Sequence, residues 1–316
     1  MSAAALAGGY VADVVLGDPR RGHPVAGFGQ LALRAESVAF APTRARGAAY
    51  AALLVALAAA TGELAARAAA RGGGRGRAIV LAVVTWASLG GRSLTRVAAR
   101  LADRVEAGDL KGARDLLPSL CGRDPQELDA DELSRAALES VAENTSDAVV
   151  GALLWGSIAG PGGVMAYRAA NTLDAMVGHR TERYTDFGWA SARLDDVLNW
   201  PAARLTAILA AGCAPLVGGT FRTTLETVRR DGAEHPSPNA GRVEAAFAGA
   251  LGVRLGGPLS YSGAAGVRPR MGDGKAPTAA DVHRATRLSA AVGVAAALTC
   301  TAARALLSKG RLWVAS

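Results

Sequence analysis

The sequence predicts an all-α, polytopic integral membrane protein with about four to five apolar helices and large polar helical loops. Three observations point there. Half of the residues are hydrophobic, drawn mostly from Ala, Leu and Val, and the mean hydropathy is +0.20. Five uncharged apolar runs stand out, at about 47–62, 78–91, 148–167, 205–221 and 288–303. Tyr50, Trp86, Trp155, Tyr167 and Trp200 lie beside them, as interfacial aromatics do. No alternating strand of useful length is evident. The chain is read as one membrane-embedded domain over 1–316.

Taken in order, the first apolar stretch is followed by Asp13 and Asp18 too closely for a secretory signal. Residues 16–25, L-G-D-P-R-R-G-H-P-V, make a Gly- and Pro-built turn. Run 47–62 leads into an Arg-rich loop at 67–77 (Arg67, Arg71, Arg75, Arg77), cytoplasmic by the positive-inside rule. If run 78–91 spans, residues 92–147 fall on the other side; if it is re-entrant, they do not. Residues 92–147 are charged and helix-friendly, broken at Gly108, Pro118 and Gly122-Arg123-Asp124-Pro125. Asp129 and Glu132 form a D-x-x-E capping box for the next helix. Of the five runs, only 148–167 reaches the length of a spanning helix, about 18 residues, and Gly160-Pro161-Gly162-Gly163 can break it. The others reach full length only if charged flanks snorkel or the helices extend into polar ends; a soluble Ala-rich helical protein is the alternative. Residues 168–204 are a polar block with few helix breakers. Residues 222–287 hold a helix, a Pro-rich turn at 235–239, a helix at about 240–251 and a Gly-rich loop at 256–274.

The formal net charge is +8, but the arginines are scattered among acids, without a zinc finger, RNP signature or basic helix. No nucleic-acid partner is expected. The excess suits a lipid bilayer surface or an anionic substrate. Cys121, Cys213 and Cys300 are far apart and fit no disulfide framework or zinc spacing.

Candidate chemistry gathers in five stretches. In E-S-V-A-E-N-T-S-D, Glu139, Glu143 and Asp147 are spaced four apart, so on an α-helix they fall nearly in line. Asn144 adds a neutral oxygen, and hard oxygen ligands suit Mg²⁺ beside substrate phosphates. A solvated charged face explains the acids equally well. In Y-R-A-A-N-T-L-D, Arg168, Asn171 and Asp174 share a helix face and could serve a phosphate and its metal. Arg193, Asp195, Asp196, Asn199 and Arg204 follow in 192–204, where a D-D pair commonly caps or pairs with arginines. In H-P-S-P-N, Asn239 is a plausible N-cap, and His235 and Ser237 could add contacts to an anion at the helix N-terminus. Asp18 and His23 sit in the first turn. P-loop, dinucleotide-binding, zincin and nucleophile-elbow signatures are absent.

Together these motifs resemble one family. D-P-R-R-G-H-P-V, G-R-D-P-Q-E-L, E-S-V-A-E-N-T-S-D, Y-R-A-A-N-T-L-D-A-M-V-G-H-R, Y-T-D-F-G-W-A-S-A-R-L-D-D-V-L-N-W-P-A-A-R-L and H-P-S-P-N-A-G-R-V-E-A-A-F-A-G-A-L-G-V-R-L-G-G follow in order. They look like the adenosylcobinamide-phosphate synthase family, the CobD/CbiB type of cobalamin biosynthesis protein, over residues 6 to about 275. The resemblance implies a multi-pass enzyme of the bacterial inner membrane. Such an enzyme is an ATP-dependent, Mg²⁺-using ligase that joins aminopropanol phosphate, or free aminopropanol, to a propionate of adenosylcobyric acid. Other membrane enzymes of the pathway are further expected partners. On that footing Glu143, Asn144, Asp147 and Asp174 are expected to hold Mg²⁺. Arg193 would neutralise phosphate charge, and Glu139 or Asp196 would take the amine proton. Arg168, Asn171, His235, Ser237, Asn239 and His23 are expected to bind substrate or phosphate. Competing readings are a Mg²⁺-dependent membrane prenyl or phosphoalcohol transferase, whose full acidic motifs are missing, and an ion-coupled transporter.

Overall fold

The computed structural model describes residues 2–19, 22–179, 181–261 and 264–314. In chain order these form α1 (Ser2–Leu16), α2 (Pro24–Ala39), α3 (Arg44–Ala70), α4 (Gly74–Ser88), α5 (Gly91–Glu106), α6 (Leu110–Leu116) and α7 (Ala130–Thr145). A π-helical turn (Ser146–Val150) then leads into α8 (Gly151–Val177), α9 (Trp189–Cys213), α10 (Phe221–Asp231) and α11 (Ala240–Leu251). The strands β1 (Leu255–Tyr261) and β2 (Ala264–Met271) precede α12 (Ala279–Val314).

Among the described residues, five helical stretches are long and apolar enough to cross a membrane: Arg44–Ala70, Arg75–Glu106, Ala130–Val177, Trp189–Val217 and Ala279–Ser308. Each extends one of the apolar runs through its polar flanks. In α3 and α12 only 28% of the most apolar window is buried inside the protein. Leu53, Leu57, Leu64 and Leu298 are left exposed, a surface that a bilayer would cover. The chain is an all-α membrane protein, with one small hairpin among the described residues.

Contacts divide the chain into two compact units. The first comprises Met1–Gly90, Ala148–Asn199 and Ala296–Ser316. Here α3 packs on α8 and α1 on α4. Phe187 fills a core between Phe40 and Tyr50, with ring centroids 5.1 and 5.0 Å away. The Tyr50 hydroxyl donates to Ala32 O at 3.1 Å. Within the polar block at 168–204, residues 182–188 form turns. The break in α8 falls where Gly-Pro predicts it: Gly160 has φ 67°, and Pro161 offers no N–H to Ser157 O. Arg304 of α12 covers the freed carbonyls, donating from Nη1 to Gly156 O at 2.8 Å and to Ser157 O at 3.1 Å. Broken backbone at membrane depth needs such a partner.

The second unit comprises Gly91–Asp147 and Trp200–Ala295. The capping box opens α7 as expected: Asp129 Oδ1 accepts from Glu132 N at 2.8 Å, and Glu132 Oε2 accepts from Asp129 N at 3.1 Å. Leu133, Ala137, Leu138 and Val141 of α7 are buried, and the helix packs against α5 and α11. The expected Gly-rich loop at 256–274 is instead an antiparallel hairpin, with Leu255 opposite Met271, Gly257 opposite Arg268 and a bulge between Leu255 and Gly257. Gly256 and Gly257 form it at φ 76° and 95°, angles that only glycine adopts readily. Asp231 secures the hairpin's end: its Oδ2 accepts from Gly272 N at 2.7 Å, and Arg230 grips both its oxygens.

Candidate active site

In the second unit α7 presents Glu139 and Glu143 one turn apart. Glu139 is buried and both its oxygens are engaged. Oε2 pairs with Arg123, which comes from the G-R-D-P turn, and Oε1 accepts from Gly256 N at 2.8 Å. Glu244, on the inner face of α11, is fully buried. Arg268 of β2 reaches among all three acids, with Nη1 at 3.4 Å from Glu244, 3.8 Å from Glu143 and 3.9 Å from Glu139.

His235 enters from the Pro-rich turn. Pro236 and Pro238 lack N–H groups, so the Ser237 amide is the one donor between them; it donates to His235 Nδ1 at 3.0 Å. The opposite ring nitrogen, Nε2, lies 3.9 Å from Glu244 Oε1. One ligand atom each of Glu143, His235 and Glu244 lies within 4.8 Å of the others. Burial pushes the Glu244 carboxyl well above the usual carboxylate range, and the charges of Glu143 and Glu139 push it further. Burial, followed by the Arg268 charge, pushes His235 down, so its ring is neutral near pH 7.

The other expected residues are placed as follows. Asn239 occupies the N-cap position of α11 without a side-chain cap bond. Ser237 Oγ does the capping, accepting from Asn239 N at 3.3 Å and Ala240 N at 3.2 Å. Asn239 Oδ1 instead accepts from Arg204 at 3.1 Å, whose guanidinium stacks on Trp200. The Asn144 amide donates to Ser140 O at 3.0 Å. Asp147 lies in the π turn, off the straight line drawn through Glu139 and Glu143 by an α-helical period, and is not a member of the Glu143–His235–Glu244 group.

In the first unit, α8 and α9 share a polar seam. Arg168 Nη1 donates to Asn171 Oδ1 at 3.2 Å, and Asn171 Nδ2 donates to Asp195 Oδ1 at 3.3 Å. Asn199 Nδ2 donates to Asp195 Oδ2 at 2.9 Å and its Oδ1 accepts from the Tyr167 hydroxyl at 2.6 Å. Arg168 also lines a cavity of about 150 Å³ whose other walls are mostly apolar, among them Phe28, Val83 and Met165. Arg193 and Asp196 pair at 3.5 Å, one helical turn apart. Asp174 Oδ1 folds back over Gly178, where an added Cβ would meet it at 1.9 Å. His23 caps α2, its Nδ1 accepting from Val25 N at 3.2 Å. Arg20 and Arg21 of the same motif, and Arg180, lie outside the described residues.

Sequence reasoning missed Glu244, Arg268 and Arg123 as members of the cluster. Glu244 stands inside the H-P-S-P-N-A-G-R-V-E motif five residues after Asn239, a signal that was available. Arg268 was hidden by reading the hairpin as a loop.

The CobD/Cbib protein family matches this chain over residues 6–289. The chain belongs to that family. A "Cobalamin biosynthesis protein CobD" of Mycobacterium tuberculosis is 52% identical over 290 residues, covering 92% of each chain. Proteins of the same description from Pelobacter propionicus and Geobacter metallireducens are 40% identical over 300 residues (93% of each chain) and 42% identical over 280 (87% of each). No solved structure matches. The membrane character and the buried acidic cluster are thus features of a CobD/CbiB-type cobalamin biosynthesis protein.

The family resemblance brings Mg²⁺ with it. Mg²⁺ prefers near-octahedral oxygen ligands and keeps several waters or phosphate oxygens. The donor set gathered around Glu143 contains an imidazole in place of Asn144 and Asp147, a poor match to that preference.

Proposed function

We propose that this chain is the amide-forming enzyme of its pathway. It would link the amine of aminopropanol phosphate, or of free aminopropanol, to the corrin propionate of adenosylcobyric acid at the expense of ATP. The product is adenosylcobinamide phosphate or adenosylcobinamide. The observation that carries the reading is the family match over residues 6–289, together with relatives described as cobalamin biosynthesis proteins. A carboxylate does not condense with an amine in water unaided. Transfer of the ATP γ-phosphoryl group makes an acyl phosphate and ADP. The amine nitrogen then attacks the carbonyl carbon, phosphate leaves, and one proton passes from nitrogen to a base.

The proposal includes ATP as co-substrate and Mg²⁺ as its companion, held mainly by phosphate oxygens. It also places the reaction at the bacterial inner membrane. Arg168 and Arg193 remain the proposed partners of phosphate charge, with Asn171 holding Arg168 in place. Asp196, half-buried beside Arg193, is the proposed proton acceptor. Glu139 has both oxygens committed to Arg123 and Gly256, which favours a supporting role for it.

The test is a ligation assay on protein in detergent or vesicles, with adenosylcobyric acid, ATP, Mg²⁺ and each amine in turn, read by product mass. The expected result is ATP-dependent appearance of one amide product. No product with either amine from folded protein would refute the proposal.

A further inference from the structure

Glu143, His235 and Glu244 have the spacing of a metal site, yet the imidazole is turned the wrong way. A backbone N–H can only donate, so the Ser237 amide at 3.0 Å occupies the lone pair of His235 Nδ1. The neutral ring then carries its proton on Nε2. Nε2 faces the acids, where it is a donor without a lone pair for a metal. Metal-bound histidines show the reverse arrangement, with the remote nitrogen donating to an oxygen.

The charge count agrees. Glu139, Glu143 and Glu244 face Arg123 and Arg268. With Glu244 protonated, as its burial favours, Glu139 and Glu143 balance Arg123 and Arg268. An ammonium that takes the place of the Glu244 proton keeps that balance, whereas a divalent ion overshoots it.

Two buried atoms specify the rest of the ligand. Apart from the carboxyl–carboxylate contact of Glu244 with Glu143, Glu244 Oε2 and His235 Nε2 have no hydrogen-bond partner. One atom is an acceptor and the other a donor, and burying them unpaired is costly. A small ligand carrying an ammonium and a nearby oxygen would satisfy both.

We propose that Glu143 and Glu244 bind the ammonium of a vicinal amino alcohol or its ester, while His235 Nε2–H donates to the neighbouring oxygen. This rests on the ligase reading, of which it names the amine subsite. Glu143, whose side chain is 32% exposed, is the solvent-facing member through which the ligand enters. Arg268 holds the carboxylates together, and its contacts of 3.4 Å and longer leave their lone pairs available. The amine would be held as the ammonium until it moves to the acyl carbon and surrenders its proton.

The experiment is a ligand-observed NMR titration of purified protein with 1-amino-2-propanol, without ATP or corrinoid. Parallel titrations use propylamine, 1,2-propanediol, Mn²⁺ and Zn²⁺. Glu244→Gln and Glu143→Gln should each weaken amino-alcohol binding about tenfold or more, the worth of a hydrogen bond to a charged group. His235→Phe should abolish the preference for 1-amino-2-propanol over propylamine. Circular dichroism and thermal unfolding identify variants that do not fold; Glu143→Gln, at the half-exposed position, keeps the test decisive if Glu244→Gln is one of them. Unchanged amine affinity in the folded Glu variants overturns the proposal. So does stoichiometric Mn²⁺ or Zn²⁺ binding that is lost in Glu244→Gln. Amine binding with the expected losses but no ligation product would sink the ligase reading alone. Ligation with wild-type amine affinity in Glu143→Gln would sink this subsite alone.

Discussion

Replacing Arg123 by Met tests the electrostatic frame of the site. The Arg123 and Glu139 side chains are only 5% and 2% exposed, so water screens their pairing little. Removing Arg123 leaves the buried Glu139 carboxylate with the Gly256 amide and Arg268 at 3.9 Å, and breaking such a buried pair costs about 3–5 kcal/mol. Glu139→Met takes the carboxylate away from the buried Arg123, and also orphans the Gly256 N–H, a loss of about 1–3 kcal/mol by itself. The double variant Arg123→Met/Glu139→Met removes both charges together and leaves the Gly256 amide without its Glu139 acceptor. Its expected destabilisation is therefore about 1–3 kcal/mol, less than either single change. The measurement is reversible unfolding in mixed micelles by added SDS, followed by tryptophan fluorescence, with the four proteins forming a double-mutant cycle. If Arg123→Met costs under about 1 kcal/mol, or if the two changes simply add, the buried-pair account is wrong.

Three further predictions use the same measurement. Gly160→Ala places a Cβ at φ 67°, 3.3 Å from the Arg304 guanidinium, and should cost about 1–2 kcal/mol; a neutral result would mean that the break does not need this backbone angle. Asp129→Ala removes the capping box of α7 and should cost about 1 kcal/mol, with Asn at the same position nearly neutral. Arg230, then the Gly272 amide, hold the Asp231 carboxyl below the ordinary carboxylate value. Its contribution is thus complete above the ordinary value and lost as pH falls through the lowered one. Between about pH 5 and pH 3 the wild type should lose more stability than Asp231→Asn, and parallel curves would refute the assignment.

Much of the helical frame was legible in the chain. Apolar runs marked the five candidate spans, D-x-x-E marked the start of α7, and Gly160-Pro161 marked the break in α8. Each is a local signal, a matter of residue type and short spacing. The hairpin was not legible, because Gly256, Gly257, Pro258 and Pro269 carry turn chemistry and mask the alternation that identifies strands. The burial of Glu244 was not legible either. Helical period assigns it a face, but only packing against α7 decides that the face is interior. Asn239 and Ser237 exchanged roles for a similar reason: both side chains can cap, and Arg204 from a distant segment draws Asn239 away.

The π turn at Ser146–Val150 bears on how this chain can change over evolutionary time. A π turn holds one residue more than an α turn. Losing one residue of S-D-A-V-V would restore the common period and leave the helix beyond it close to its present register, because the extra residue is accommodated within the turn. A loss between Gly151 and Val164 would instead swing every later side chain by about 100° around the helix axis. Val164, Tyr167 and Leu173 are fully buried and would leave their places together. Length can therefore vary by one residue between positions 146 and 150 at less cost than within α8. Aligned relatives should carry a one-residue gap there more often than after Gly151.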